Sequence, residues 1–177
     1  PVTGYRSTSG GARLRFNSLH ASYNLPVLAE GYAFLRSFQG LAEDESDVIE
    51  GMLNQEALRI ARHGSEYNNQ SAEHFRAYGS VGLATGYWPL TGKAIYEDYN
   101  WHDMIEYGFD EDGFNSEGGG YHRAIFHAMN SLALFASEYG VELLTPRFKR
   151  VYDASLTIGL GGTPYEPAYR AYRDPAY

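Results

Sequence analysis

Along most of this chain apolar residues recur at steps of three and four, the period of an amphipathic helix. Asn17 opens the first such segment, which runs to about Phe38 and carries Leu25, Leu28, Tyr32 and Leu35 on one face, with Gly40 beyond its end. Pro26 lies inside the pattern and predicts a kink or a late start. A second segment runs from Ala42 to a stop at Gly64, with Val48, Met52, Leu53, Leu58 and Ile60 as its apolar side. Its acidic residues crowd the first turns, and Arg59, Arg62 and His63 the last, the order a helix dipole favours.

Asn68 or Asn69 can cap a third helix that ends near Gly86. Phe75, Tyr78, Val81 and Leu83 are its expected buried positions, and Gly79, Gly82 and Ala84 permit close approach of a neighbour. Tyr87-Trp88-Pro89 breaks it, and Thr91 caps a fourth helix reaching about Gly108. The fifth spans roughly Tyr121 to Tyr139; its apolar residues Ile125, Phe126, Met129, Leu132, Leu134 and Phe135 cover more than one face, which predicts burial on several sides. Pro146 opens a sixth, to about Ile158, and residues 159–177 are turn-rich. Helices with short loops and no strand pattern predict an all-α fold of antiparallel helical hairpins. No linker divides the chain, so residues 1–177 read as one domain, long enough for a substantial core.

Composition narrows the function more than the fold. The net charge of −8 argues against a nucleic-acid partner, while a local basic cluster could still hold a polyanion. No apolar run reaches the length of a membrane span. Cysteine is absent, which removes disulfides, thiolate metal sites and a thiol nucleophile. The 16 tyrosines are an excess of rings with polar tips, a type of side chain carbohydrate-binding and extracellular proteins use often. The first residues lack the basic and apolar regions of a secretion signal, so either a signal has been removed or the chain is a piece of something longer.

Several familiar chemistries fail on spacing. The acidic turn Asp110-Glu111-Asp112-Gly113 would place glycines, Gly108 and Gly119, at the first and twelfth positions of a calcium loop. Gly118-Gly119-Gly120 lacks the Lys-Ser/Thr ending of a phosphate loop, so the glycines give backbone freedom or room for a ligand. His122 and His127 are five apart, the wrong step for two metal ligands on one helix face, so neither a metal nor another cofactor is expected. Glu73, Asp112 and Glu117 could supply the acid and base of a glycoside hydrolase.

A more specific set is Asn69, Gln70 and His74 at the start of the third helix with Tyr121 and His122 at the start of the fifth. Two neighbouring helix starts can face one cleft. Elimination from a uronic acid needs its carboxylate neutralised, a base for the C5 proton and an acid for the departing O4. Amide and imidazole donors neutralise without adding a permanent charge. A tyrosine, with an ordinary pKa of about 10, performs both proton transfers when cations or a helix N-terminus favour its anion.

The runs NNQSAEHFRAYGSVGLATG (68–86), IEYGFDEDGFNSEGGGYHRAIFHAMNSLALFASEYGVEL (105–143) and PRFKRVYDASL (146–156) resemble the heparinase II/III-like polysaccharide lyases in block order and spacing. The resemblance extends over nearly the whole chain from about Arg13. It implies an incomplete α/α toroid of helical hairpins, normally followed by a β-sandwich domain that would be a partner within the same protein and that this sequence ends before. It implies cleavage of acidic, uronate-containing polysaccharides such as heparan sulfate or alginate by β-elimination, in a periplasmic or secreted setting. Carried over by position, Asn69 (or its neighbour Asn68) matches the asparagine that neutralises the uronate, Tyr121 the acid and base, and Glu117 the acidic residue before the glycines. Many members have a histidine directly after the asparagine, where this chain has Gln70; His74 lies a turn further, which leaves the base between His74 and Tyr121. Arg76, Lys93, Arg123 and His122 are then candidates for contacting anionic sugar, and Trp88 or Tyr87 for stacking on a ring. The alternatives are a hydrolase on a similar toroid, using Glu117 with Glu73 or Asp112, and a non-catalytic sugar-binding fragment.

Overall fold

A computed structural model describes residues 18–38, 40–63 and 66–160, with side chains as far as residue 157. The described residues form seven α-helices and no strand: α1 (Ser18–Ser37), α2 (Glu43–Ile60), α3 (Asn69–Thr85), α4 (Trp88–Tyr96), α5 (Trp101–Tyr107), α6 (Gly119–Ser137) and α7 (Pro146–Leu160). Asn17, Gly64 and the turn-rich stretch after Leu160 lie outside the described residues.

The central element is α3; α6, expected to be buried on several sides, buries one stripe through Ile125, Met129 and Leu132 and leaves Leu134 exposed. Every residue from Ser71 to Ala84 is buried, because α1, α2, α4 and α6 all pack on α3. Small residues make this possible. A methyl group on Gly79 would meet Ala94 at 2.8 Å, and one on Gly82 would meet the Thr91 backbone nitrogen at 2.7 Å. The helix ends at Gly86, which takes the left-handed conformation (φ 72°) that glycine adopts without steric cost. Replacing Gly82 with alanine is expected to cost about 1–3 kcal/mol, since the obstruction is main chain and cannot turn aside. Gly31→Ala, at an exposed position of α1 with nothing within 4 Å, should instead stabilise by about 0.5–1 kcal/mol. Urea unfolding of the two variants reads both signs.

Contacts fix the directions of the helices. The ends of α1 and α3 share a groove, and the His63 ring beyond the end of α2 lies 5.9 Å from that of His74 near the start of α3. Thus α1 and α3 run one way and α2 the other. α4 descends along α3, from Thr91 beside Gly82 to Ala94 beside Gly79. α6 runs parallel to α3, with Glu117 at the start of α3 and Leu132 beside Gly79. α7 returns along α6, pairing Ser155 with His122 and Phe148 with Phe126. The starts of α1, α3 and α6 therefore gather at one pole.

Three further expectations need correction. The fourth helix is two: Thr91 is not a cap but a buried residue inside α4, which begins at Trp88 with Pro89 in its first turn. The break before α5 centres on Tyr99, a non-glycine residue at φ 61°. Asp103 Oδ2 holds it there, accepting from the Tyr99 N–H (2.7 Å) and from the Tyr67 hydroxyl (2.8 Å). Second, α1 runs unbroken through Pro26 and buries Ala21, Leu25, Ala29 and Tyr32, while Leu28 and Leu35 are exposed. Third, α2 buries Leu53, Glu56, Ala57 and Ile60 and leaves Val48, Met52 and Leu58 exposed. Each of these helices buries one narrow stripe, so apolar residues a third of a turn away stay 42–71% exposed.

Candidate active site

The first turn of α3 sets the site. Asn68 is its cap: its backbone is extended, its Oδ1 accepts from the Ser71 N–H at 2.9 Å, and its Nδ2 donates to Glu66 at 2.8 Å. One N–H and the oxygen of the Asn68 amide are thereby engaged. Asn69 is the first helical residue, and its backbone N–H donates to Glu117 Oε2 at 2.7 Å. A carboxylate here satisfies one of the unpaired N–H groups of a helix start and sits on the positive end of its dipole. Among the described residues no hydrogen bond engages the Asn69 side chain, so of the two asparagines its amide is the freer to meet a ligand.

Glu117 is held by a chain of hydrogen bonds. Its N–H donates to Asn115 Oδ1 (2.9 Å), and Asn115 Nδ2 donates to the Gly108 carbonyl (2.6 Å). The Asn115 N–H donates to His122 Nδ1 at 3.3 Å, so the His122 proton sits on Nε2, which donates to Ser155 Oγ at 2.8 Å. Ser155 donates in turn to the Val151 carbonyl, tying the loop to α7. Gly118 precedes α6 at φ 87°, a conformation that requires glycine, and it turns the chain from Glu117 into the helix that carries Tyr121.

Tyr121 is half-exposed in the first turn of α6. Tyr23, on α1, shares its surroundings: burial raises the Tyr23 pKa, Glu73 raises it further, Arg76 opposes, and Tyr121 adds to the rise. Glu73 and Arg76 form a buried ion pair, with Arg76 Nη2 2.8 Å and Nε 3.0 Å from Glu73 Oε2. Burial raises the Glu73 pKa, and Arg76 works against that rise. His74 is buried, and neither ring nitrogen has a hydrogen-bond partner among the described residues. Burial, assisted by His63, lowers its pKa to about 4, so the ring is neutral near pH 7. Burial likewise lowers the His122 pKa to about 4, against the opposing pull of Asp110 and the Val151 carbonyl.

The sequence-predicted residues thus divide. Asn68, Asn69, Glu117 and Tyr121 gather at the pole where α3 and α6 begin, with Gln70 exposed beside them. Arg76 and His122 are there too, but burial withdraws both from direct contact with a polymer; one neutralises Glu73, the other braces the Glu117 loop. Trp88 and Tyr87 lie at the far end of α3, about 25 Å away along a helix of its length. There Trp88 lines a groove of about 330 Å³ with Arg36, Leu83 and Tyr139. Lys93 is paired with Glu97, and Arg123 is exposed on α6. Tyr23 was not foreseen, since a single tyrosine on a helix carries no signal of what faces it. The described residues hold no group of three or more His, Asp or Glu side chains placed to bind a metal ion. No described helix is long and apolar enough to cross a membrane. Comparison with protein-family models, curated proteins and solved structures finds no match to this chain.

Proposed function

We propose that this protein is a polysaccharide lyase that cleaves uronic-acid-containing polymers by β-elimination. The observation that carries the reading is the Asn69–Glu117 hydrogen bond, which joins the start of α3 to the turn that delivers Tyr121. On this reading α1–α2, α3 with α4 and α5, and α6–α7 are three successive hairpins of an incomplete α/α toroid. The alternating helix directions support that arrangement.

In the proposed reaction the Asn69 amide donates to the uronate carboxylate and stabilises the enolate-like state as the C5 proton leaves. Tyr121 takes that proton and returns one to O4 as the C4–O4 bond breaks, leaving a C4–C5 double bond on the new non-reducing end. His74 is a poor alternative base, being enclosed, with a pKa of about 4. The hydrolase alternative is disfavoured because Glu73 is enclosed and paired with Arg76, and Glu117 is bound to the Asn69 main chain. An acidic polysaccharide is then the partner, and a periplasmic or secreted setting is where such a polymer would be met.

The test is ultraviolet absorbance of the protein incubated with a panel of uronate polymers, with reducing ends assayed in parallel. Absorbing product is the expected result. Reducing ends without absorbance would replace this reading with hydrolysis, and neither signal would leave a binding role.

A further inference from the structure

Besides Tyr23, three tyrosines lie beside the candidate site and have no part in the reaction proposed above. The ring of Tyr67, directly before the Asn68 cap, is 5.0 Å from that of Tyr99 and 6.2 Å from that of Tyr107. Tyr107 is 68% exposed, and Tyr67 and Tyr99 are half-buried, so the cluster is a surface feature. A closed circuit of contacts attaches it to the site. From Tyr67 the chain passes to Asn69, whose N–H binds Glu117; Glu117 binds Asn115, Asn115 binds the Gly108 carbonyl, and Gly108 follows Tyr107. Tyr107 then closes on Tyr67.

The cluster is also held at a conformational cost. Tyr99 occupies the left-handed region, which is unfavourable for a residue with a bulky side chain and persists only where surroundings enforce it. Asp103 enforces it by binding the Tyr99 N–H and the Tyr67 hydroxyl with one oxygen. A core needs no such device at its surface. A binding surface of aromatic rings does; here Tyr99 and Tyr107 are each tilted about 45° from the ring of Tyr67, and Tyr107 is the ring most open to solvent. Fixed tyrosine rings offer apolar area and polar tips at little loss of side-chain freedom, which suits the faces of pyranose rings.

We propose that Tyr67, Tyr99 and Tyr107 form a sugar-stacking subsite that holds a pyranose ring of the polymer beyond the residue bound at Asn69. This rests on the lyase reading for its substrate class but makes a separable claim about binding. The probes are tetrasaccharides and disaccharides prepared from alginate and from heparan sulfate. Affinity is measured calorimetrically in a Tyr121→Phe background, so that turnover does not intervene. Tyr107→Ala should weaken binding of the preferred tetrasaccharide by about tenfold and leave the disaccharide unchanged. Tyr107→Phe, which keeps the ring, should bind as the parent does. Equal tetrasaccharide affinity for the Ala variant and its parent would overturn the subsite, as would failure of every tetrasaccharide to bind. Loss of affinity in Tyr107→Ala, with no absorbing product from the unaltered protein, would uphold the subsite while removing the lyase reading. Absorbing product with an unchanged affinity in Tyr107→Ala would do the reverse.

Discussion

Tyr121→Phe is expected to lower formation of unsaturated product about a thousandfold while leaving the melting temperature unchanged. The hydroxyl is the only group removed, and it belongs to a residue that is 46% exposed, so the packing of α6 on α3 does not depend on it. In the proposed reaction that hydroxyl carries both proton transfers, and a phenyl ring can make neither. The neighbouring asparagines separate chemistry from folding. Asn69→Ala keeps the main-chain bond to Glu117 and should depress turnover without loss of stability. Asn68→Ala removes a helix cap and should cost about 1 kcal/mol in stability. Wild-type turnover in Tyr121→Phe would end the assignment of the tyrosine.

Acid is the second large effect. His74 and His122 are both enclosed as neutral rings, with pKa values lowered from 6.5 to about 4 by burial. The unfolded chain therefore binds more protons than the folded one between about pH 6.5 and 4, and stability must fall as pH drops through that window. Above the window both states are neutral at these residues and the contribution is complete; below it both are charged and no further loss accrues. Each histidine contributes roughly 3 kcal/mol across its shift. Their combined loss in acid is large beside the ~5–15 kcal/mol of net stability typical of a domain. Urea unfolding at pH 7 and at pH 4.5 checks this, and a midpoint that does not move would show that neither ring is enclosed as described. His122 has a more local consequence as well. A proton on Nδ1 abolishes its acceptance of the Asn115 N–H, and Asn115 is what holds Glu117, so acid should loosen the site along with the fold.

The parts of the molecule legible in the sequence are those with local causes. A cap at Asn68 or Asn69, which the structure resolves to Asn68, and the stop at Gly86 were legible because a cap and a left-handed glycine act within a turn of their own positions. Pro146 opens α7 for the same reason. The close approaches at Gly79 and Gly82 were also legible, since small residues inside a helix have few other uses. What the sequence concealed depends on residues far away. The α4–α5 break has no glycine or proline to announce it; it exists because Asp103 binds the main chain of Tyr99 and the side chain of Tyr67 at once. The central place of α3 was hidden by its own composition, for Glu73 and Arg76 look like surface residues until they are seen paired inside. The exposed faces of α1 and α2 were misread because periodicity shows which residues share a stripe, not how wide a stripe its neighbours cover. At the site, spacing suggested that two helix starts could meet, but nothing in spacing distinguishes His122 as a brace from His122 as a ligand.

The two tryptophans differ in a way that makes the chain its own optical instrument. Trp101 is wholly enclosed against Phe148 in the core, whereas Trp88 stands 55% exposed at the far pole. Emission from the first is expected to be blue and shielded from iodide, and emission from the second red and open to quenching. Acid unfolding can therefore be followed as Trp101 joins the quenchable fraction, while Trp88, remote from Tyr121 and Tyr107, serves as an internal standard that neither substitution disturbs.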